Sequence, residues 1–263
     1  MQIISLTTDR KVGDYFIGRI HGQLYKDCPS VQVVDLAHGF DMRRIFEPAF
    51  VLRNSFNYFP WGTIHILALN CESFLLQKHL VWYNEGHYFI CADNGIIPLT
   101  FPGRIEKVVN TENIEYREFK PTWLGFSLLA SHILEFEGNL EAIGNPVTNY
   151  TKLFGFKPVS KPNQITGSVI YIDTFGNVIT DISEELFIST GKNRNFKIFA
   201  GSKSNVIDKI GKTYSEVAEN DLFARFNSYS LLEISIYKQS VAQLFSLELN
   251  KPININFYDS QDS

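Results

Sequence analysis

In the first half of this chain the apolar residues switch repeatedly between two periods, and that switching is the tightest constraint on its fold. Residues 3–7, 31–36 and 63–69 are short apolar runs, whereas residues 15–25 and 45–56 carry apolar side chains at helical spacing. Strand, helix, strand, helix, strand predicts a mostly parallel sheet with helices on its faces. Residues 88–92 and 105–109 add strand candidates, and residues 125–137 read as an apolar, buried helix. Beyond Gly167 the period is mostly two, with strands expected at 168–172, 178–182, 196–200, 231–237 and 253–257. Between the two patterns, Pro146, Pro158 and Pro162 with several Asn and Lys residues interrupt any regular element. The expected organisation is an α/β domain over residues 1–150, a linker over 151–164 and a smaller all-β domain over 165–263. A chain of 263 residues, 44% hydrophobic, has enough apolar surface for two such cores.

Charge and cysteine usage narrow the partners. Twenty-four basic and 28 acidic side chains are dispersed along the chain for a net charge of -4, so no basic patch is available for a run of phosphates and nucleic acid is not expected. Cys28, Cys71 and Cys91 are odd in number, far apart and set among apolar neighbours, the pattern of reduced buried thiols. The first residues enter a strand pattern without a basic leader, and no apolar stretch reaches the roughly 20 residues that span a bilayer. A cytoplasmic protein with no membrane partner is therefore expected. The six histidines show no metal-ligand spacing, and the chain lacks GxGxxG, GxxxxGK and GxSxG. Redox cofactors, triphosphate hydrolysis and serine-hydrolase chemistry lose their support. His38 and His65, in or beside strand runs, read as satisfied structural histidines. The 22 Phe and 12 Tyr imply either a Phe-rich core or flat surfaces for a base or a neighbouring subunit.

Chemistry collects at strand ends. Leu6-Thr7-Thr8-Asp9 closes a buried strand just before a helix. Asp9 is placed either to accept hydrogen bonds from ribose hydroxyls at the carboxyl end of the sheet, or to cap the following helix. Asp93-Asn94-Gly95 is ideal turn chemistry, with or without a ligand facing it. Tyr171-Ile172-Asp173-Thr174-Phe175-Gly176-Asn177 joins two strands; a hairpin accounts for the glycine and Asn177 but not for Phe175. Asn227-Ser228-Tyr229-Ser230 is a polar loop leading into a strand.

Taken in order, a longer set of fragments carries a resemblance: Leu6-Thr7-Thr8-Asp9, Asp14-Tyr15-Phe16-Ile17-Gly18, Val34-Asp35-Leu36-Ala37-His38 and Phe59-Pro60-Trp61-Gly62-Thr63-Ile64-His65. It continues through Ala92-Asp93-Asn94-Gly95, Asp173-Thr174-Phe175-Gly176-Asn177-Val178-Ile179-Thr180 and Asn227-Ser228 before Leu232-Glu233-Ile234. The chain resembles the S-adenosylmethionine (SAM) hydroxide adenosyltransferases, relatives of the fluorinating and chlorinating enzymes, over nearly its full length. The resemblance implies a barrel-like second domain and a homotrimer with substrate sites between one subunit's first domain and the next subunit's second. It implies SAM or adenosine as ligand, with SAM the substrate rather than a bound cofactor. Asp9 would hold the ribose, Asp173 and Ser228 the methionine portion, and Phe175 and Asn177 the adenine; Asp93 and Asn94 match the pattern at a further contact.

Two stretches depart from that pattern. Where the hydroxide-using members run into Asp-Pro-Gly-Val-Gly and then an arginine, this chain has Asn70-Cys71-Glu72-Ser73-Phe74, with Gln77 at the arginine. Where they carry a histidine, Leu124 or Pro121 stands, depending on the alignment. Asn70, Glu72, Gln77 and His79 become the candidate catalytic positions. Glu72 and His79 either form a substitute acid-base set on one loop, with His79 titrating near neutrality, or are exposed loop residues.

Overall fold

A computed structural model describes residues 2–70, 78–103, 105–111, 122–155, 157–213, 216 and 218–259. The chain divides into two compact units, residues 1–155 and 156–263.

The first unit runs β1 (Gln2–Thr8), α1 (Tyr15–Asp27), β2 (Val31–His38), α2 (Phe46–Arg53), β3 (Ile64–Ala68), β4 (His79–Asn84), β5 (His87–Ala92), α3 (Ile96–Thr100), β6 (Lys107–Asn110), α4 (Thr122–Glu135), α5 (Leu140–Ile143) and β7 (Asn145–Pro146). Its seven strands lie in the order β2-β1-β3-β5-β4-β6-β7. β2, β1, β3 and β5 are parallel neighbours, and β6, antiparallel to β4, points the same way. The mostly parallel sheet read from the alternating periods is thus present. Alternation along the strands splits the core across two faces. Ile64, Ile66 and Ala68 pack with Ile17, Ile20 and Leu24 of α1 and with Phe126, Leu129 and Ile133 of α4. Leu67 and Leu69 face the other way, onto Ala49 and Leu52 of α2 and Ile96 and Ile97 of α3. With helices on both faces, the central strands can be apolar on both sides.

Asp14 caps α1, its Oδ1 accepting the Phe16 N–H at 2.9 Å. The capping task proposed for Asp9 is therefore taken by a residue five positions later. β4 was not foreseen: His79 opens this strand rather than sitting on a loop. A two-residue turn, Glu85-Gly86, with φ of 48° and 82°, folds β4 back on β5, and positive φ at both central positions matches the right-handed twist of a hairpin.

The second unit runs β8 (Val159–Lys161), β9 (Gln164–Ile172), β10 (Val178–Ser183), α6 (Glu184–Gly191), β11 (Asn195–Ala200), β12 (Val206–Ile207), β13 (Leu222–Phe226), β14 (Leu231–Ile236), α7 (Val241–Leu244) and β15 (Pro252–Tyr258). All its strand pairings are antiparallel among the described residues, in the order β12-β11-β15-β9-β10-β14-β13, with β8 added to β9. Ile210, just past β12, bridges Ala224 of β13, so the two ends of that order meet and the sheet is nearly closed around Ile165, Val169, Val178, Leu232, Ile234 and Ile255. β8 lies within the segment read as linker; Pro162 and Asn163 turn it onto β9.

A polar chain is buried in the first unit. Ser5 Oγ lies 2.6 Å from His65 Nδ1, and His65 Nε2 lies 3.2 Å from His87 Nδ1, inside a wall of Phe56, Phe59 and Phe89 rings. Burial, with the neighbouring His87 adding to it, pushes His65 down to about 3, and burial lowers His87 as well. Both rings are neutral in the folded state and gain protons more easily when unfolded. Their contribution is therefore fully present above the unfolded value of about 6.5 and is lost as pH falls through the acid range. The melting temperature should drop between pH 7.5 and pH 5, and the combined His65→Gln, His87→Gln variant should show a flatter profile by calorimetry.

Candidate functional site

β1 is the strand at which the topology reverses. The chain leaves it through α1 to β2 on one side, then returns through α2 to β3 on the other, so the helices diverge at the carboxyl ends of β1 and β3, where open α/β sheets bind their ligands. Asp9 and Asn70 stand at those two ends. The Asn70 backbone, in the left-handed region at φ 53°, donates its N–H to Asp9 Oδ2 at 2.9 Å. Asp9 Oδ1 has the Arg10 guanidinium at 3.6 Å, and the Asp9 side chain keeps 17% of its surface open. Arg10 in turn lies over the Phe16 ring, 4.7 Å from its centre. The result is an anchored, partly open carboxylate, the group that suits a pair of vicinal hydroxyls.

The other candidates of the first unit are drawn into structural bonds. Asp93 Oδ1 accepts the Thr151 N–H at 2.8 Å, and the Asp93 carbonyl accepts from Thr151 Oγ1 at 3.3 Å. Asn94, just before the Gly95 N-cap of α3, accepts the Ile96 N–H at 3.2 Å and donates from Nδ2 to Leu69 O at 3.4 Å, linking the ends of β5 and β3. Gly95, at φ 86°, lies under Leu153, whose side chain would be 2.5 Å from an added Cβ. The turn reading of this segment is what these contacts describe.

His79 shares the same sheet edge, paired with Ala92, but is enclosed against the Phe126 ring at 5.2 Å. Burial lowers it to about 4, so it is neutral at pH 7 rather than poised near neutrality as expected. Glu72 and Gln77 lie outside the described residues, as does Pro121. Leu124, the other residue aligned with the family histidine, packs onto the α1-facing core and brings no polar group.

In the second unit the loop between β9 and β10 is organised by Asp173. Its Oδ1 accepts the N–H groups of Phe175 at 2.9 Å and Asn177 at 2.8 Å, and its Oδ2 accepts from Asn177 Nδ2 at 2.8 Å. Asn177 is buried and spent on this bond, while Phe175 is pushed outward, 78% exposed. Gly176, at φ 80°, is pressed against Ser240, whose Oγ would stand 1.9 Å from a Cβ there. Ser228 belongs to a second turn in which Asn227 Oδ1 accepts the N–H groups of Tyr229 and Leu231 at 3.0 and 3.2 Å. Antiparallel pairing of Val178 with Ile234 and of Ser183 with Leu231 places the Asp173 loop and the Ser228 turn beyond opposite ends of the β10·β14 ladder. Of the expected methionine and adenine contacts, Asp173, Phe175 and Asn177 come together; Ser228 does not join them.

Among the described residues no group of His, Cys, Asp and Glu is arranged to hold a metal ion, and no helix is long and apolar enough to cross a membrane.

Known proteins resemble the chain in sequence and in fold. The pattern of the SAM hydroxide adenosyltransferase N-terminal domain matches residues 4–139, and that of the C-terminal domain matches residues 167–254. A protein of Methanocaldococcus jannaschii named (R)-S-adenosyl-L-methionine hydrolase is 25% identical over 97% of this chain and 96% of its own. A Thermus thermophilus protein of the same name is 22% identical over 97% of this chain and its full length. The crystal structure of an uncharacterized conserved protein from Thermotoga maritima shares the fold, with a TM-score of 0.84 at 23% identity over 96% of this chain and 99% of that one.

Three charge-assisted bonds converge on Asp173 in a partly exposed loop, so Asp173→Ala should cost roughly 2 kcal/mol of stability by chemical denaturation. Asp173→Asn, which keeps an acceptor, should cost less.

Proposed function

The chain belongs to the SAM hydroxide adenosyltransferase family, and on that ground we propose that it hydrolyses SAM to adenosine and L-methionine. The observation that carries the reading is Asp9, a partly open carboxylate held by the Asn70 N–H at the switch point of the sheet. Asp9 binds the ribose hydroxyls, and Phe175 offers a ring face to the adenine. The oxygen of a water attacks the ribose C5′ from the side opposite sulfur. The C5′–S bond breaks, its electron pair returns to sulfur as the neutral thioether of methionine, and the surplus proton of the water passes to solvent. The sulfonium is its own leaving group, so the reaction needs no metal or cofactor, and catalysis rests on holding water, carbon and sulfur in line.

The curated relatives of similar length support the same substrate class. His79 at this edge is neutral at pH 7 and enclosed against Phe126, so it offers the water no positive charge. Complete sites form in a homotrimer, between one subunit's first unit and the next subunit's second, and the protein works in the cytoplasm, where SAM is made and used.

Purified protein incubated with SAM should release adenosine and methionine in equal amounts by chromatography, with heat-killed protein as the control. Asp9→Asn should weaken apparent substrate binding roughly 10- to 100-fold, the cost of losing a charged hydrogen-bond acceptor. Binding without product would leave a sensing or sequestering protein, and neither binding nor product would refute an adenosyl site.

A further inference from the structure

We propose that Thr8 and His38 are positioning residues that aim the Asp9 carboxylate, a reading that deepens the adenosyl-site proposal and rests on it for its functional half. Thr8 is fully buried at the end of β1, one residue before Asp9. Its Oγ1 reaches across Asp9: it accepts the Arg10 N–H at 3.2 Å and lies 3.3 Å from the Arg10 carbonyl. The corner on which Asp9 sits is therefore closed by this hydroxyl. The same oxygen stands 2.9 Å from His38 Nδ1, and the Thr8 carbonyl accepts the Gly39 N–H at 3.1 Å, so the end of β2 clasps Thr8 by side chain and backbone together.

His38 is itself fixed. Its side chain is only 5% exposed, and its Nε2 lies 3.0 Å from Asp35 Oδ1, off the line of a hydrogen bond, so that contact is electrostatic. His21 of α1 brings its Nε2 to 2.8 Å from the same oxygen. In the tautomer that carries its proton on Nε2, toward the Asp35 carboxylate, Nδ1 accepts the Thr8 hydroxyl proton while the Thr8 lone pairs accept Arg10 N–H. The set runs Asp35, His38, Thr8, Asp9, and it ends at Asn70 through the Asp9 bond.

This assembly depends on an irregularity. Residues three apart on a regular strand face opposite sides of the sheet. Along β2 the pairing with β1 slips by one, Asp35 opposite Leu6 but Ala37 opposite Thr7, so Leu36 is an extra residue and His38 returns to the side of Asp35 and α1. A bulge that re-aims a side chain beside a ligand crevice is a recurrent device.

The decisive experiment follows amide hydrogen exchange at Asn70 and Ile66 in the full-length, ligand-free protein. Thr8→Val, which keeps size but loses the hydroxyl, and His38→Leu should each speed exchange at Asn70 by about tenfold or more while Ile66 inside β3 keeps its protection. Thr8→Ser and His38→Asn, whose amide oxygen falls near the place of Nδ1, should restore Asn70 toward wild type. Unchanged Asn70 exchange, or equal loss at Ile66, overturns the proposal. With SAM as substrate, Thr8→Val should raise KM more than it lowers kcat, and adding His38→Leu should do little further harm because both act through one contact. If the wild-type protein neither binds nor cleaves SAM, the adenosyl reading falls, while the exchange result still decides whether Thr8 and His38 orient Asp9.

Discussion

The hydrogen-bonded position of β1 between β2 and β3 is the constraint from which the first unit follows. A strand paired in parallel on both sides gives up every edge, and its side chains need cover on both faces. That cover is α1 with α4 on one side and α2 with α3 on the other. Because the two crossovers from this region leave on opposite faces, the strand ends are where backbone and polar side chains remain uncovered by helices. The opening at these strand ends is thus a by-product of how the core is closed, and the residues there sit on centrally paired strands.

The architecture was legible because period and burial go together. Leu67 and Leu69 against Ile64, Ile66 and Ala68 is a pattern of two faces written directly in the chain. β4 escaped although Val81, Trp82 and Tyr83 favour a strand, because residues 79–84 form no long aliphatic run and the hairpin is closed by Glu85-Gly86, a pair without the Asn-Gly signature. Pairing with β5 and β6 and the local preference agree on that strand.

The candidate site was legible only in part. Asp9 could be placed from strand-end logic, but whether it caps α1 turned on Asp14, a choice between two acids that spacing left open. The partnership of Asp35 with His38 was hidden by the rule that made the rest readable. Period two separates residues three apart, and only the slip at Leu36 brings them together. Asp173 shows a different limit: the motif marks the carboxylate, but its Asx-type bonds to the residues two and four ahead, which shape the loop, are not written in the spacing.

Phe175 illustrates what such a loop achieves. A large ring left in water on a flexible segment would lose mobility on meeting a flat partner, and the free energy of contact would be diminished by that ordering. Here part of that ordering has already occurred during folding: Asp173 fastens the backbone at Phe175 and Asn177, and the Gly176 backbone is wedged against the cap of α7. The stability of the second unit thus carries a backbone-ordering cost that would otherwise fall on recognition, and only the torsions of the ring itself are left to settle on contact.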